Sequence, residues 1–245
     1  MTRKTGLVTG AASGIGKATA ERLQREGYEV LAVDRDAQGL APLEEVGMRI
    51  LAADLSDAAG RARVIEAGQG VNALVNSAGI IRLKPILELT VQDLHDIYSV
   101  NVDAVWELTS QIGRTMPSGG AIVNLSSSSA KLAATTEAAA YASSKAAVLS
   151  ITRSFAYEFG KINVRVNAVC PGIVDTPMQD TVLMKAATVR GIKVEQLSAE
   201  RTQSVPLARA ASADECAGAI NFLLSDDSAY MTGQAINFTG GLVMF

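Results

Sequence analysis

Short apolar, β-branched runs alternate with stretches of helical periodicity from one end of the chain to the other, and this alternation restricts the fold more than any other feature. The runs are Gly6 to Thr9, Glu29 to Val33, Met48 to Ala53, Ala73 to Val75, Ala121 to Leu125, Val164 to Val169 and Gln234 to Phe238. Strands buried on both faces read in this way, as nearly continuous apolar segments. Helical spacing is clearest at Ile15 to Arg25, Val91 to Ile112, Ala140 to Phe159 and Ala213 to Leu224. Strand alternating with helix predicts an α/β fold, a doubly wound parallel sheet of about seven strands with helices on both faces.

No linker or internal repeat divides the 245 residues, so residues 1–245 read as a single domain. Hydrophobic residues make up 48% of the chain and charged residues 19%, a balance that supports a core. The net charge is −3 and Lys and Arg form no runs. That argues against nucleic acid or an anionic membrane as partner and for a small molecule. No apolar run approaches the roughly 18 residues of a membrane span. The chain passes from Met1–Lys4 directly into the first strand without a signal-peptide pattern, so a cytoplasmic location is expected. Cys170 and Cys216 are far apart and His95 is the sole histidine, a poor ligand set for a metal. Both cysteines read as buried, reduced thiols. His95 and Trp106 read as helix-packing residues.

The first strand, Leu7-Val8-Thr9, runs into Gly10-Ala11-Ala12-Ser13-Gly14-Ile15-Gly16 and then into a helix from Lys17. Glycines at a strand-to-helix turn let backbone approach a pyrophosphate, and the free N–H groups and dipole of the helix favour its charge. The second strand ends at Asp34, 24 residues beyond Gly10, where a carboxylate can bind the adenosine ribose and repel a 2′-phosphate. Arg35 could hold such a phosphate, but Ser13 adds no second positive charge. NAD is therefore expected over NADP.

Tyr141 and Lys145 lie four residues apart on a helical segment and so share one face. A positive charge about 4 Å from a phenol, at an effective dielectric near 20, is worth about 4 kcal/mol, or roughly three pKa units. A tyrosine lowered in this way can serve as a general base near neutral pH.

Together these residues resemble the short-chain dehydrogenases/reductases along the whole chain. The resemblance implies a single Rossmann domain catalysing NAD-dependent interconversion of a secondary alcohol and a ketone. It places Asp54 and Leu55 at the adenine, and Asn76-Ser77-Ala78-Gly79 in the sheet beside the cofactor, with Asn76, Ala78 and Gly79 as binding residues. Pro171, Gly172, Ile173, Val174 and Thr176 would meet the nicotinamide end. The catalytic set implied is Asn101, Ser127, Tyr141 and Lys145, with Asn101 holding a water that links the lysine to solvent. Ser126 to Ser129 are four serines in a row. Alignment on the strand end selects Ser127, while the family's commonest spacing to the tyrosine selects Ser128. Strand register favours Ser127. The family resemblance also implies a homotetramer assembled through the helices at Val91 to Ile112 and Ala140 to Phe159.

Two segments depart from the regular alternation. Ser126 to Ala147 is rich in Ser, Ala and Thr, a composition common in flexible stretches. Between Thr176 and Pro206 a polar, helix-prone insertion reads as a substrate lid over residues 178–204. Related 3-hydroxy-acid and keto-deoxy-sugar-acid dehydrogenases can carry an arginine shortly before the tyrosine. Here Thr135, Thr136, Glu137 and Ala138 occupy that stretch. A neutral polyol or sugar is therefore the expected substrate, with a hydroxy acid held by a lid cation as the alternative. A non-catalytic dinucleotide sensor on the same fold would be expected to lack Tyr141 or Lys145.

Overall fold

The computed structural model describes residues 3–132 and 137–245, so Thr135 and Thr136 of the stretch before Tyr141 lie outside the described residues. Among the described residues seven strands form one sheet: β1 (Thr5–Thr9), β2 (Glu29–Asp34), β3 (Arg49–Ala52), β4 (Ala73–Asn76), β5 (Ala121–Leu125), β6 (Arg165–Pro171) and β7 (Ala235–Phe238). Their order is β3-β2-β1-β4-β5-β6-β7, with every neighbouring pair parallel. The chain winds one way from β1 to β3 and the other way from β4 to β7. This reversal leaves a crevice beyond the carboxyl ends of β1 and β4.

Alternation of side chains across the pleat builds two cores. Val8, Val30, Val75, Val123 and Val169 point to one face, where they meet Leu23 of α1 (Gly14–Arg25) and Ile220 and Leu223 of the C-terminal helix Ala213–Leu224. Their sheet neighbours Leu7, Leu31, Leu74, Ile122 and Val166 point the opposite way. There they meet residues of three further helices, Val64 of Ala58–Ala67, Leu108 and Ile112 of Ala104–Gly113, and Phe159 of Ala139–Phe159. In chain order the helices are α2 (Ala37–Glu45), α3 (Ala58–Ala67), α4 (Val91–Tyr98), α5 (Ala104–Gly113), α6 (Ala139–Phe159), α7 (Pro177–Arg190), α8 (Val194–Gln203) and α9 (Ala213–Leu224). None is long and apolar enough to cross a membrane among the described residues.

Three departures from the sequence reading bear on the site. The helix expected at Val91 to Ile112 is α4 and α5 joined by a π-turn over Ser99–Asp103, which holds Asn101. Two helices lacked a clear helical signal: α2 carries Gly39 and Pro42, and the apolar stripe of α3 is short. Each is started by an aspartate cap, Asp36 or Asp57, accepting from first-turn amides. The Ser/Ala-rich stretch enters a short 3-10 turn at Ser128–Ala130, and its later part becomes the long helix α6.

A buried polar chain crosses the sheet beneath the crevice. The Asn76 side chain donates to Asn124 Oδ1 at 2.8 Å and to Thr109 Oγ1 at 3.1 Å, and Asn124 in turn donates to Thr152 Oγ1 of α6 at 3.0 Å. Asn76 is 2% exposed and Asn124 is fully buried. Truncating the middle link strands a buried donor, which costs about 1–3 kcal/mol. Asn124→Ala should lower the denaturant midpoint accordingly while far-UV circular dichroism stays native.

Candidate active site

A cleft of about 1350 Å³ opens over the carboxyl ends of the strands. Its floor on the β1 side is the glycine turn. Gly10 and Gly14 have φ of +70° and +54°, a region that disfavours side chains. A Cβ on Gly16 would lie 2.0 Å from the Gly10 carbonyl oxygen, and one on Gly10 would lie 2.9 Å from the Ala78 backbone. The Thr9 hydroxyl ties the two strand ends together by accepting the Ser77 and Ala78 amides, each at 3.1 Å. Ser13 begins α1 in an extended conformation without capping it through its side chain, and the first turn carries no acidic residue. A cradle that a methyl group would fill, below an uncapped helix start, fits the pyrophosphate of a dinucleotide.

Asp34 lines the same cleft and braces its rim, its carboxylate accepting from the Ala12 amide at 3.1 Å and the Asp36 amide at 3.0 Å. Arg35 beside it is exposed. Asp54 sits across the rim. Bonds from the backbone and side chain of Ser56 hold its carboxyl below the usual range, and Arg35 adds to the effect.

At the other end Tyr141 and Lys145 project from the first turns of α6. Lys145 Nζ donates to the Leu125 carbonyl at 2.7 Å and lies 5.8 Å from the centre of the Tyr141 ring. Burial pulls its pKa down to about 8, with Cys170 partly opposing. The phenol does not show the lowering expected from the sequence. Burial raises the Tyr141 pKa above its ordinary value, and a hydrogen bond with the Ser127 side chain draws it part of the way back. The Ser127 hydroxyl also accepts the Ser129 amide at 3.1 Å, which fixes the 3-10 turn. It is thus Ser127 whose side chain meets Tyr141, while Ser126 turns away to bond the Lys145 carbonyl at 2.8 Å.

Asn101 and Asn76 do not line the cleft. The Asn101 side chain is spent on backbone and helix: Oδ1 accepts the Ile80 amide at 2.9 Å, and Nδ2 reaches the Ile80 carbonyl and Ser144 Oγ, each at 3.0 Å. Ser144 Oγ then bonds the Tyr141 carbonyl at 2.7 Å. The asparagine therefore locks the π-turn to the turn of α6 that bears the tyrosine. Asn76, expected beside the cofactor, is drawn into the polar chain under the sheet. The other expected residues all line the cleft: Gly10, Ser13, Gly14, Ile15, Gly16, Asp34, Arg35, Asp54, Leu55, Ala78, Gly79, Ser127, Tyr141, Lys145, Pro171, Gly172, Ile173, Val174 and Thr176. Thr176 caps α7, accepting the Gln179 amide at 3.3 Å, and its methyl comes within 3.2 Å of the point where a Gly14 Cβ would lie.

Sequence reading missed several parts of the site. Thr9 looks like an ordinary strand residue, and its clasp on Ser77 and Ala78 becomes visible only once β1 and β4 are neighbours. Ile80, Ile81, Leu132 and Leu242 also line the cleft, brought there by turns that carry no motif. Cys170, read as an inert thiol, lies close enough to Ser126 and Lys145 to interact with both.

A family model described as enoyl-(acyl carrier protein) reductase matches residues 10–243. Oxidoreductase UcpA of Salmonella typhimurium is 33% identical over 98% of this chain and 95% of its own. L-2,3-butanediol dehydrogenase of Corynebacterium glutamicum is 32% identical over 98% of both. The solved structure of a single-residue variant of actinorhodin polyketide ketoreductase with NADPH superposes with a TM-score of 0.90 at 31% identity, covering 99% of this chain and 98% of that one. A match that spans the glycine turn, the Tyr141 and Lys145 helix and the whole parallel sheet establishes that this chain belongs to the short-chain dehydrogenase/reductase family, oxidoreductases that use a nicotinamide dinucleotide on secondary alcohols or ketones.

Proposed function

We propose that the chain uses NAD(H) and that Tyr141 exchanges the proton of the reacting oxygen, with Ser127 and Lys145 as its partners. The observation that carries this reading is the Ser127 side chain set against the Tyr141 phenol beside the buried Lys145, in a cleft floored by the glycine turn. A nicotinamide dinucleotide held over the glycine turn would supply the hydride acceptor for the carbinol carbon, or the hydride donor for the carbonyl carbon. The Ser127 hydroxyl donates to the substrate oxygen and holds it within reach of the phenol. In oxidation Tyr141 accepts the hydroxyl proton, and the Lys145 ammonium, anchored by the Leu125 carbonyl, stabilises the phenolate character that precedes this transfer. In reduction the phenol donates. Asn101 acts at one remove, as a positioning residue that sets the height of Tyr141 through Ser144.

Asp34 favours NAD: both of its oxygens face backbone amides at the rim, and a 2′-phosphate there would meet an anion. Arg35 is the opposing influence. A sensor without catalysis has no need for a hydroxyl, a phenol and an ammonium gathered in one pocket. The two cysteines are buried and unpaired, which suits the reducing cytoplasm. A homotetramer is supported by the helix face that carries Trp106, 51% exposed and packed edge-on to Phe155 of α6, with the 84% exposed Tyr157 nearby in sequence. Sedimentation at micromolar concentration should give the mass of four chains, and a monomer would count against this assembly.

Tyr141→Phe should lower kcat by about 100- to 10,000-fold, the range of a lost general acid–base, with dinucleotide titration unchanged. Because burial keeps the phenol protonated, ketone reduction by the native protein should hold up at neutral pH. Alcohol oxidation should climb as pH rises, and this limb should vanish in the Phe variant. A variant that keeps its rate refutes the assignment. For the cofactor, the ratio of kcat/KM with NAD to that with NADP should exceed one and shrink in Asp34→Ala; equal or better use of NADP by the native protein overturns the preference.

A further inference from the structure

The helix pair over the cleft carries two side chains with hydrogen-bond donors that find no acceptor among the described residues. α7 and α8 are joined through Gly191, whose φ of +64° ends α7, and they pack through Leu183, Ala187 and Leu197. Gln179 lies one turn before Leu183 on the same face of α7, and Arg201 lies one turn after Leu197 on α8. The packing therefore brings Gln179 and Arg201 to the same end of the helix pair, away from the Gly191 turn, and both line the cleft. The Gln179 amide nitrogen is shut off from solvent with no partner among the described residues. The half-buried Arg201 guanidinium has neither a carboxylate nor a carbonyl partner among the described residues.

Other cations on the cleft are answered or wet. Lys84 pairs with Asp93 at 2.8 Å, Arg190 with Glu200 at 2.9 Å, and Lys145 with the Leu125 carbonyl. Arg35 and Lys185 are exposed. Burial lowers the Arg201 pKa with no acid nearby to oppose it, yet a guanidinium keeps its proton in any protein setting. A charge left half-desolvated without a counter-ion is unfavourable, so its environment is incomplete until an anion arrives.

The position of the pair indicates which anion. Just beyond α8, Val205 packs on the turn after β7, where a Cβ on Gly240 would lie 2.7 Å from it. The Leu207 amide donates to the Gly240 carbonyl at 3.1 Å. The same turn presses on Gly172, whose added Cβ would lie 3.1 Å from Thr239 Cα. Gly172 follows β6, whose end pairs with the strand leading to Ser127, while the Gly10 to Gly16 turn meets the helix pair at Thr176, the cap of α7. Resting on the oxidoreductase reading above, we propose that Arg201 and Gln179 form an anion subsite for the substrate, so that the alcohol or ketone this chain acts on is a carboxylic acid. The guanidinium fork matches a carboxylate bidentately, and the Gln179 amide, closed off from solvent in this structure, adds a third donor as the helix pair settles onto the acid. A neutral polyol, expected from the sequence, would satisfy Gln179 but leave Arg201 without a counter-charge.

The test pairs acids with their own amides: 3-hydroxybutyrate, 2-hydroxyisovalerate and 4-hydroxypentanoate, each against the corresponding carboxamide, with NAD. The native protein should prefer the acids in kcat/KM, through KM. Arg201→Gln should reduce the acid-over-amide ratio on the order of 10- to 100-fold, the range of one charge-assisted hydrogen bond, and Arg201→Lys should restore part of it. Gln179→Leu, which leaves the cation in place, should reduce the ratio less and serves if the arginine variant does not fold. Acid binding to the NAD complex should slow amide exchange across residues 178–204 in the native protein and not in Arg201→Gln. Equal treatment of acid and amide by the native protein overturns the subsite while leaving the oxidoreductase reading intact. A weakened NAD titration in Arg201→Gln, with the acid preference retained, overturns it by assigning the guanidinium to the dinucleotide. Turnover of no alcohol in the panel or among polyols refutes the underlying reading and the subsite with it.

Discussion

The working end of this sheet depends on a contact between backbones that leaves no room for one added carbon atom. The β1 turn closes so tightly that the Gly16 Cα faces the Gly10 carbonyl, and Gly10 in turn lies against the Ala78 backbone at the end of β4. That approach brings the two strand ends close enough for one hydroxyl, that of Thr9, to bridge them. It also holds α1 with its first amides directed over the crevice. The polar chain from Asn76 through Asn124 to Thr152 carries the same alignment onward from β4 to β5 and α6. Tyr141 is thus positioned relative to the glycine turn by a continuous series of backbone contacts and buried amides rather than by any direct contact between the two.

The electrostatics of Tyr141 and Lys145 follow from that enclosure. Spacing on a helix suggests a charge that lowers a phenol, but spacing carries no information about solvent. In the folded chain both groups are withdrawn from water, and desolvation favours the neutral form of each. Cys170 beside the lysine and the Ser127 hydroxyl beside the phenol moderate the penalty without removing it. Two groups that each resist ionisation make a site able to pass a proton either way, with direction set by pH and by what fills the cleft.

The sheet was legible because its signal is local: each strand is a short apolar, β-branched run of its own. The glycine turn and the pair on α6 were legible for the same reason, since their chemistry is written within a few consecutive residues. α2 was hidden by Gly39 and Pro42, which break the helical pattern while Asp36 starts the helix through its side chain. The partners of Asn101, the clasp made by Thr9 and the isolation of Arg201 could not be read, because each depends on residues distant in sequence. A cation without a counter-ion has no sequence signature; it is recognised by surveying everything around it.

The π-turn at Ser99–Asp103 amounts to one residue more than the α-helical path between Val91 and Gly113 requires. A residue added to or removed from a regular helix rotates all that follows by about 100°, which would normally carry the apolar stripe of α5 off the sheet. Here the surplus is absorbed as a local widening, so Ile97 before it and Leu108 after it both remain buried, while Asn101 gains the reach to touch Ile80 and Ser144 at once. Deleting one residue from the π-turn would restore a smoother helix and, in doing so, detach the tyrosine's support from the rest of the protein.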